Sequence, residues 1–184
     1  MIKPRTLLER CIKNDAKAQK ELYDLFKDKI MGLCRRYTKN REEAEDVYQD
    51  TFIRVFQNIS QLNAPDLLEQ WIKRIAINTA VKYYHKNKRH DHEKESNGYL
   101  HPNDDHALII SRFSDEMLLR IINDLPDGYR MVFNLHEIEG YNHGEIGALL
   151  QITEATSRSQ LNRARHMLKS KLKHLGVLKY ERYE

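Results

Sequence analysis

Cysteine, proline and glycine are all scarce in this 184-residue chain, which holds 2 Cys, 4 Pro and 7 Gly. So few turn-formers leave long uninterrupted runs, and that favours helices over a many-turned β fold. Cys11 and Cys34 are too few and too far apart for a zinc site or a disulfide framework. They read instead as buried thiols in a reducing cytoplasm. No apolar run reaches the roughly 18 residues of a membrane span. The opening Met1-Ile2-Lys3-Pro4-Arg5 leads into no apolar stretch of the kind a secretory signal needs. A P-loop, a paired glycine-rich fingerprint and a His-Glu-x-x-His metal motif are also missing, so no enzyme, cofactor or metal is expected. Nine histidines remain, among them His90, His92, His136 and His143, and their scatter reads as exposed surface.

Charge of one sign is not in excess overall: 31 basic against 27 acidic residues give a net +4. Its placement says more. From Glu154 to the end, eight basic residues face three acidic ones, and from Glu69 to Arg89 six face Glu69 alone. Between Arg41 and Asn58 the sign reverses, with five acids against Arg41 and Arg54. Two basic helices and one acidic helix fit two phosphate-facing surfaces and one protein-facing surface. Solvated faces on ordinary helices fit the same charges.

The apolar residues recur at three and four throughout. Thr6 with Glu9 predicts a capping box that opens a short first helix. Asn14-Asp15 restarts a longer one carrying Leu22, Leu25, Phe26, Ile30, Leu33, Cys34 and Tyr37. Asn40 with Glu43 predicts the next start, followed by Ala44, Val47, Thr51, Phe52, Val55 and Ile59. After Pro65, a fourth helix is expected from about Asp66 to Lys86, with Leu68, Trp71, Ile72, Ile75, Ala76, Thr79 and Tyr83 on one side. Residues 90–111 are punctuated and acid-rich, as a linker would be. Helical spacing resumes with Leu118, Ile121, Ile122 and Leu125 and continues past Pro126-Asp127-Gly128 to Gly140. The expected fold is all-α: two small helical domains, residues 1–89 and 112–184, joined by an acidic linker.

The most informative stretch is Gly140 to Arg165. Asn142 with Glu145 caps one short helix, and Thr153 caps a second that opens on small residues and turns basic. This is the pattern of a helix-turn-helix whose second helix enters the DNA major groove. Ser157, Leu161, Ala164, Leu168, Leu172 and Leu175 form its expected inward stripe. Thr156, Arg158, Ser159, Asn162 and Arg163 lie outside it. Arginine suits guanine and asparagine suits adenine, each by paired hydrogen bonds. Arg165 and Lys169 suit phosphate.

In the first domain the fourth helix mixes Lys73, Arg74, Lys82 and Lys86 with Trp71, Tyr83 and Tyr84. That combination suits single-stranded nucleic acid, although Trp71 and Tyr83 sit on the apolar stripe and fit a core role better. The loop from Gln61 to Asp66 is a candidate reader of unpaired bases. Asp46, Gln49, Asp50 and Arg54 repeat on the polar side of the third helix, as either a docking surface or a solvated face.

Three blocks carry a family resemblance: Asp46 to Phe56 (DVYQDTFIRVF), Trp71 to Ala80 (WIKRIAINTA), and the helix-turn-helix ending Ser159 to Arg165 (SQLNRAR). In this order they resemble the small two-domain sigma-70-type factors of the extracytoplasmic-function (ECF) group, and Leu125-Pro126 falls where that family opens its last domain. The resemblance covers about Leu7 to Leu172. It implies a promoter-specificity subunit that binds core RNA polymerase and reads promoter DNA, with no catalysis of its own. Asp46, Gln49, Asp50 and Arg54 would dock on the clamp helices of the largest polymerase subunit. Asn63, Asp66, Leu67, Arg74 and Asn78 would capture a flipped base of the melted −10 element. Thr156, Arg158, Ser159, Asn162, Arg163 and Arg165 would read the −35 element as duplex. An anti-sigma factor is an implied partner, and membrane insertion is not expected. The chain departs from the family at Gln151, where the turn usually has glycine, and at Ser157 and Gln160, which bear on the sequence recognised. The competing reading is a conventional helix-turn-helix regulator that binds duplex DNA as a dimer without polymerase.

Overall fold

The computed structural model describes residues 4–62, 64–93 and 115–176. Eight α-helices make up almost all of them, with no β-strand among the described residues: α1 (Pro4–Ile12), α2 (Ala16–Tyr37), α3 (Arg41–Asn58), α4 (Leu68–Glu93), α5 (Asp115–Asn123), α6 (Asp127–Phe133), α7 (His143–Leu150) and α8 (Glu154–His174). Short 3₁₀ turns at Ile59–Gln61 and Pro65–Leu67 join α3 to α4, and a π turn at Asn134–Ile138 extends α6.

Most helix starts obey local chemistry. The Asp15 carboxylate accepts from the amides of Lys17 and Ala18, and Asn40 Oδ1 accepts from that of Glu43. The returning Glu43 carboxylate reaches the Lys39 amide rather than that of the cap residue. Asn142 and Glu145 form the full reciprocal box, and Thr153 Oγ1 accepts from the Thr156 amide. Three expectations need correction. The first helix begins at Pro4, where a missing amide hydrogen costs nothing, so Thr6 lies inside it. The fourth helix starts in a 3₁₀ turn and runs to Glu93, beyond the expected Lys86, because Asn87 to Glu93 contain no glycine or proline to stop it. Leu175 lies past the end of α8 and is 44% exposed instead of completing its inward stripe. Residues 94–111 of the expected linker lie outside the described residues.

Helices α1 to α4 enclose a core built on Leu22, Leu33, Val47, Val55, Ile72 and Ala76. Cys11 and Cys34 are buried within it as free thiols. Burial pushes the Cys34 thiol up to about 12, so it stays protonated and behaves as a small apolar side chain. Trp71 and Tyr83 are partly buried and pack against this core. The same cluster continues through Met131, Val132, Leu135, Ile146, Leu150 and Leu161. A second, smaller cluster joins α5 to α8 through Ile121, Leu125, Ala164 and Leu168.

The second half also has a polar anchor. Arg130 is 3% exposed, and it donates to the carbonyls of Asn123 and Leu125 and to Asp127. It thereby satisfies carbonyls that the end of α5 leaves open, which is what a buried guanidinium needs.

Candidate nucleic-acid interface

Helix α8 presents two unlike sides. Ser157, Leu161, Ala164 and Leu168 are buried, while Thr156, Arg158, Ser159, Asn162, Arg163 and Arg165 are exposed. Every residue expected to read duplex DNA therefore stands on the outward face. The arginines are pre-positioned by partners at the surface or half-buried beside it: Arg158 on Glu154 at 2.8 Å, Arg163 on the Tyr129 hydroxyl at 3.1 Å, and Arg165 Nε on Glu137 at 3.0 Å. Ion pairs at the surface add little stability, so exchanging them for phosphate or a base edge is inexpensive.

The angle between α7 and α8 depends on a crowded turn. Gln151 takes a left-handed conformation (φ 56°, ψ 47°), the strain expected where relatives of this pattern carry glycine. The Ile152 amide then donates to Gly147 O at 3.1 Å. A β-carbon on Gly147 would lie 2.8 Å from Ile152 O, so only glycine fits there. Below the turn, His143 Nδ1 and the fully buried Ser157 Oγ share a 2.9 Å hydrogen bond, and His136 stacks on His143 with centroids 4.7 Å apart. His136 and His143 are thus a packed pair rather than scattered surface residues. Partial burial, then the charges of His136 and Arg158, lower the His143 pKa.

On α3, Val47, Thr51, Phe52 and Val55 turn inward. Asp46, Gln49 and Asp50 are exposed, and Arg54 lies 3.7 Å from Asp50. The four residues expected to dock on protein therefore share one polar face. Ile53, 53% exposed, adds an apolar contact point between Asp50 and Arg54.

On the α4 side, Asp66 and Leu67 stand exposed on the 3₁₀ turn, and Arg74 and Asn78 are exposed one helical turn apart. Asn63 lies outside the described residues. Gln70, Lys73, Arg74 and Ile77 form one wall of an open groove of about 470 Å³. Glu139, Gly140, Tyr141 and Glu145 form the other wall, so the helix-turn-helix half overhangs the α4 face.

The seam between the halves carries polar bonds beside its apolar packing. Glu139, whose side chain is 1% exposed, lies between Arg36 Nη2 (3.3 Å) and Lys73 Nζ (2.5 Å). Asn134 donates to Arg36 O at 2.8 Å, and His85 bonds to Leu149 O at 2.9 Å. Lys39 pairs with Asp127, and Arg35 approaches Glu116. Sequence reasoning missed Glu139, Arg36 and Asn134, because helical spacing carries no information about partners in the other half of the chain.

Comparison with known proteins finds one family match in each half of the chain. The sigma-70 region 2 family matches residues 22–90, and the sigma-70 region 4 family matches residues 115–168. The chain is 31% identical to the ECF RNA polymerase sigma factor SigW of Bacillus subtilis, over 95% of this chain and 98% of that protein. It is 29% identical to the ECF RNA polymerase sigma-E factor of Escherichia coli, over 93% and 95%. Among solved structures, the sigma factor RpoE of Bartonella quintana in complex with the anti-sigma factor NepR is similar in fold (TM-score 0.54, 19% identity), covering 84% of this chain and 96% of that one. Among the described residues no helix is long and apolar enough to cross a membrane. The chain belongs to the ECF group of sigma-70 factors and is a promoter-specificity subunit of RNA polymerase.

Proposed function

We propose that the three exposed faces divide the labour of promoter recognition. Residues 1–89 hold the polymerase and the melted −10 element, residues 112–184 hold the −35 duplex, and residues 90–111 connect them. Asp46, Gln49, Asp50 and Arg54 dock on the clamp helices of the largest polymerase subunit. Asp66, Leu67, Arg74 and Asn78, with Asn63, trap an unstacked base, whose release from the duplex costs about a few kcal/mol. Thr156, Arg158, Ser159, Asn162, Arg163 and Arg165 read base edges and phosphates of the −35 element. The protein has no catalytic step of its own and works in the cytoplasm, where its polymerase is. The likeness to a sigma factor bound by an anti-sigma factor supports a regulator of that kind as a third partner.

The observation that carries this reading is the sorting of α8: six exposed recognition residues against a four-residue buried stripe on a capped helix. Arg158→Ala combined with Arg163→Ala removes two of the cations. Each well-placed arginine contact is worth about 1–3 kcal/mol, so −35-dependent transcription falls by at least about tenfold. Co-elution with core polymerase stays unchanged. Loss of polymerase binding in this double variant would move the docking surface onto α8 and overturn the assignment. Conversely, Asp50→Arg disrupts the polymerase complex, and an unaltered complex would remove α3 from the interface.

A further inference from the structure

Glu139 is an acidic residue in an unfavourable local position. It caps the C-terminal end of the π turn, where the carbonyl ends of a helix favour cations. Its carboxylate is also almost completely removed from water, which is costly for a charge without partners. Both penalties are met from across the seam by Arg36 at the end of α2 and Lys73 on α4. The fit is incomplete: Oε2 touches Lys73 Nζ without accepting an aligned hydrogen bond, and the buried Tyr37 hydroxyl beside it has no partner. Burial and then the Glu139 charge push the Tyr37 phenol upward, so it stays neutral. Lys73 precedes Arg74, and both line the groove that the second half overhangs.

We propose that Arg36 and Lys73 form a phosphate site for the melted DNA strand, and that Glu139 occupies this site in the free chain. Carboxylate and phosphate oxygens are interchangeable for arginine and lysine, so one replaces the other without rebuilding the site. While Glu139 is in place, the helix-turn-helix half stays against α4 and narrows the approach to Arg74 and Asn78. When the halves separate, the carboxylate withdraws to water and the two cations are left for a strand phosphate. This inference rests on α4 being the single-strand face, as read above.

The test uses the full chain without polymerase, measured by small-angle X-ray scattering and by binding to a fluorescent pool of short single-stranded DNA at low salt. The latched wild type has a radius of gyration near that of a compact chain of this length, roughly 16 Å. Glu139→Gln keeps its helical circular dichroism, expands by several ångström, and binds the oligonucleotides about tenfold more tightly, the gain expected when a competent state populated at about one part in ten becomes dominant. Arg36→Gln expands equally but binds several-fold more weakly than Glu139→Gln, because it opens the seam and removes a phosphate ligand together. A purely structural seam would make the two variants bind alike, and that result overturns the proposal. So does a Glu139→Gln chain that stays compact, or one that expands without gaining affinity while Arg74→Ala still weakens its binding. If Glu139→Gln expands and Arg74→Ala leaves its binding untouched, the single-strand reading of α4 fails, and this phosphate site with it.

Discussion

The core shared by α2, α3 and α4 is apolar, whereas the seam between the two halves mixes apolar packing with exchangeable polar bonds. Leu22, Val47, Val55 and Ile72 are all at most 1% exposed and offer water nothing to bond. The seam continues this apolar packing into Met131, Leu135, Ile146 and Leu150, and adds Arg36, Lys73 and Glu139, Asn134 on a backbone carbonyl, and His85 on another. Apolar burial has no substitute in water, whereas every polar bond of the seam can be exchanged for water, an ion or a phosphate. The helices are therefore committed to their packing within each half, while the polar share of the contact between halves is open to competition. A subunit that must reach two separated promoter elements gains from that arrangement.

Substitutions can break this comparison, and the core should respond most. Ile72→Ala removes a fully buried side chain and is expected to cost about 2–5 kcal/mol in chemical denaturation. A loss no larger than that of an exposed position such as Asn78→Ala would mean that the two regions are not so different. The turn of the helix-turn-helix comes next. Gly147→Ala forces a β-carbon against Ile152 O, and about 1–3 kcal/mol of destabilisation is expected. Gln151→Gly works in the other direction by relieving the left-handed conformation, with a gain of about 1 kcal/mol. Unchanged thermal stability in both would show that the turn bears no strain.

The smallest expected effect is that of pH on His143. Its pKa is lowered in the folded chain, by burial first and then by His136, Arg158 and Arg165 against the opposing pull of Glu154. The unfolded chain therefore binds the proton more readily. The stability gained from keeping His143 neutral is complete above its ordinary value of 6.5 and is lost as pH falls through the interval between that value and the lowered one. Melting temperature should fall as pH drops below about 6.5, and His143→Gln should flatten that fall. An identical slope in the variant would place the acid sensitivity elsewhere.

Local chemistry was readable in advance because it is encoded within four residues. Asp15, Asn40, Asn142 and Thr153 all cap the helices their spacing announced. The left-handed conformation of Gln151 was not marked by its own residue type; only the family resemblance, which has glycine in this turn, pointed to the position. The run of α4 past Lys86 was not readable either, since a polar, charged segment extends a helix without any apolar rhythm to betray it. Glu139 was the least legible residue. Its role depends on two cations brought from the other half by tertiary packing, and nothing in its own neighbourhood marks it. The outward faces of α3, α4 and α8 were legible only as the complement of their buried stripes.

The most direct measurement mixes the purified chain with core RNA polymerase and follows both the complex and its transcripts. The account predicts stable co-elution and new transcription starts that share sequence elements at −35 and −10. A chain that fails to join core polymerase, and instead binds a two-fold duplex site as a dimer, would contradict it.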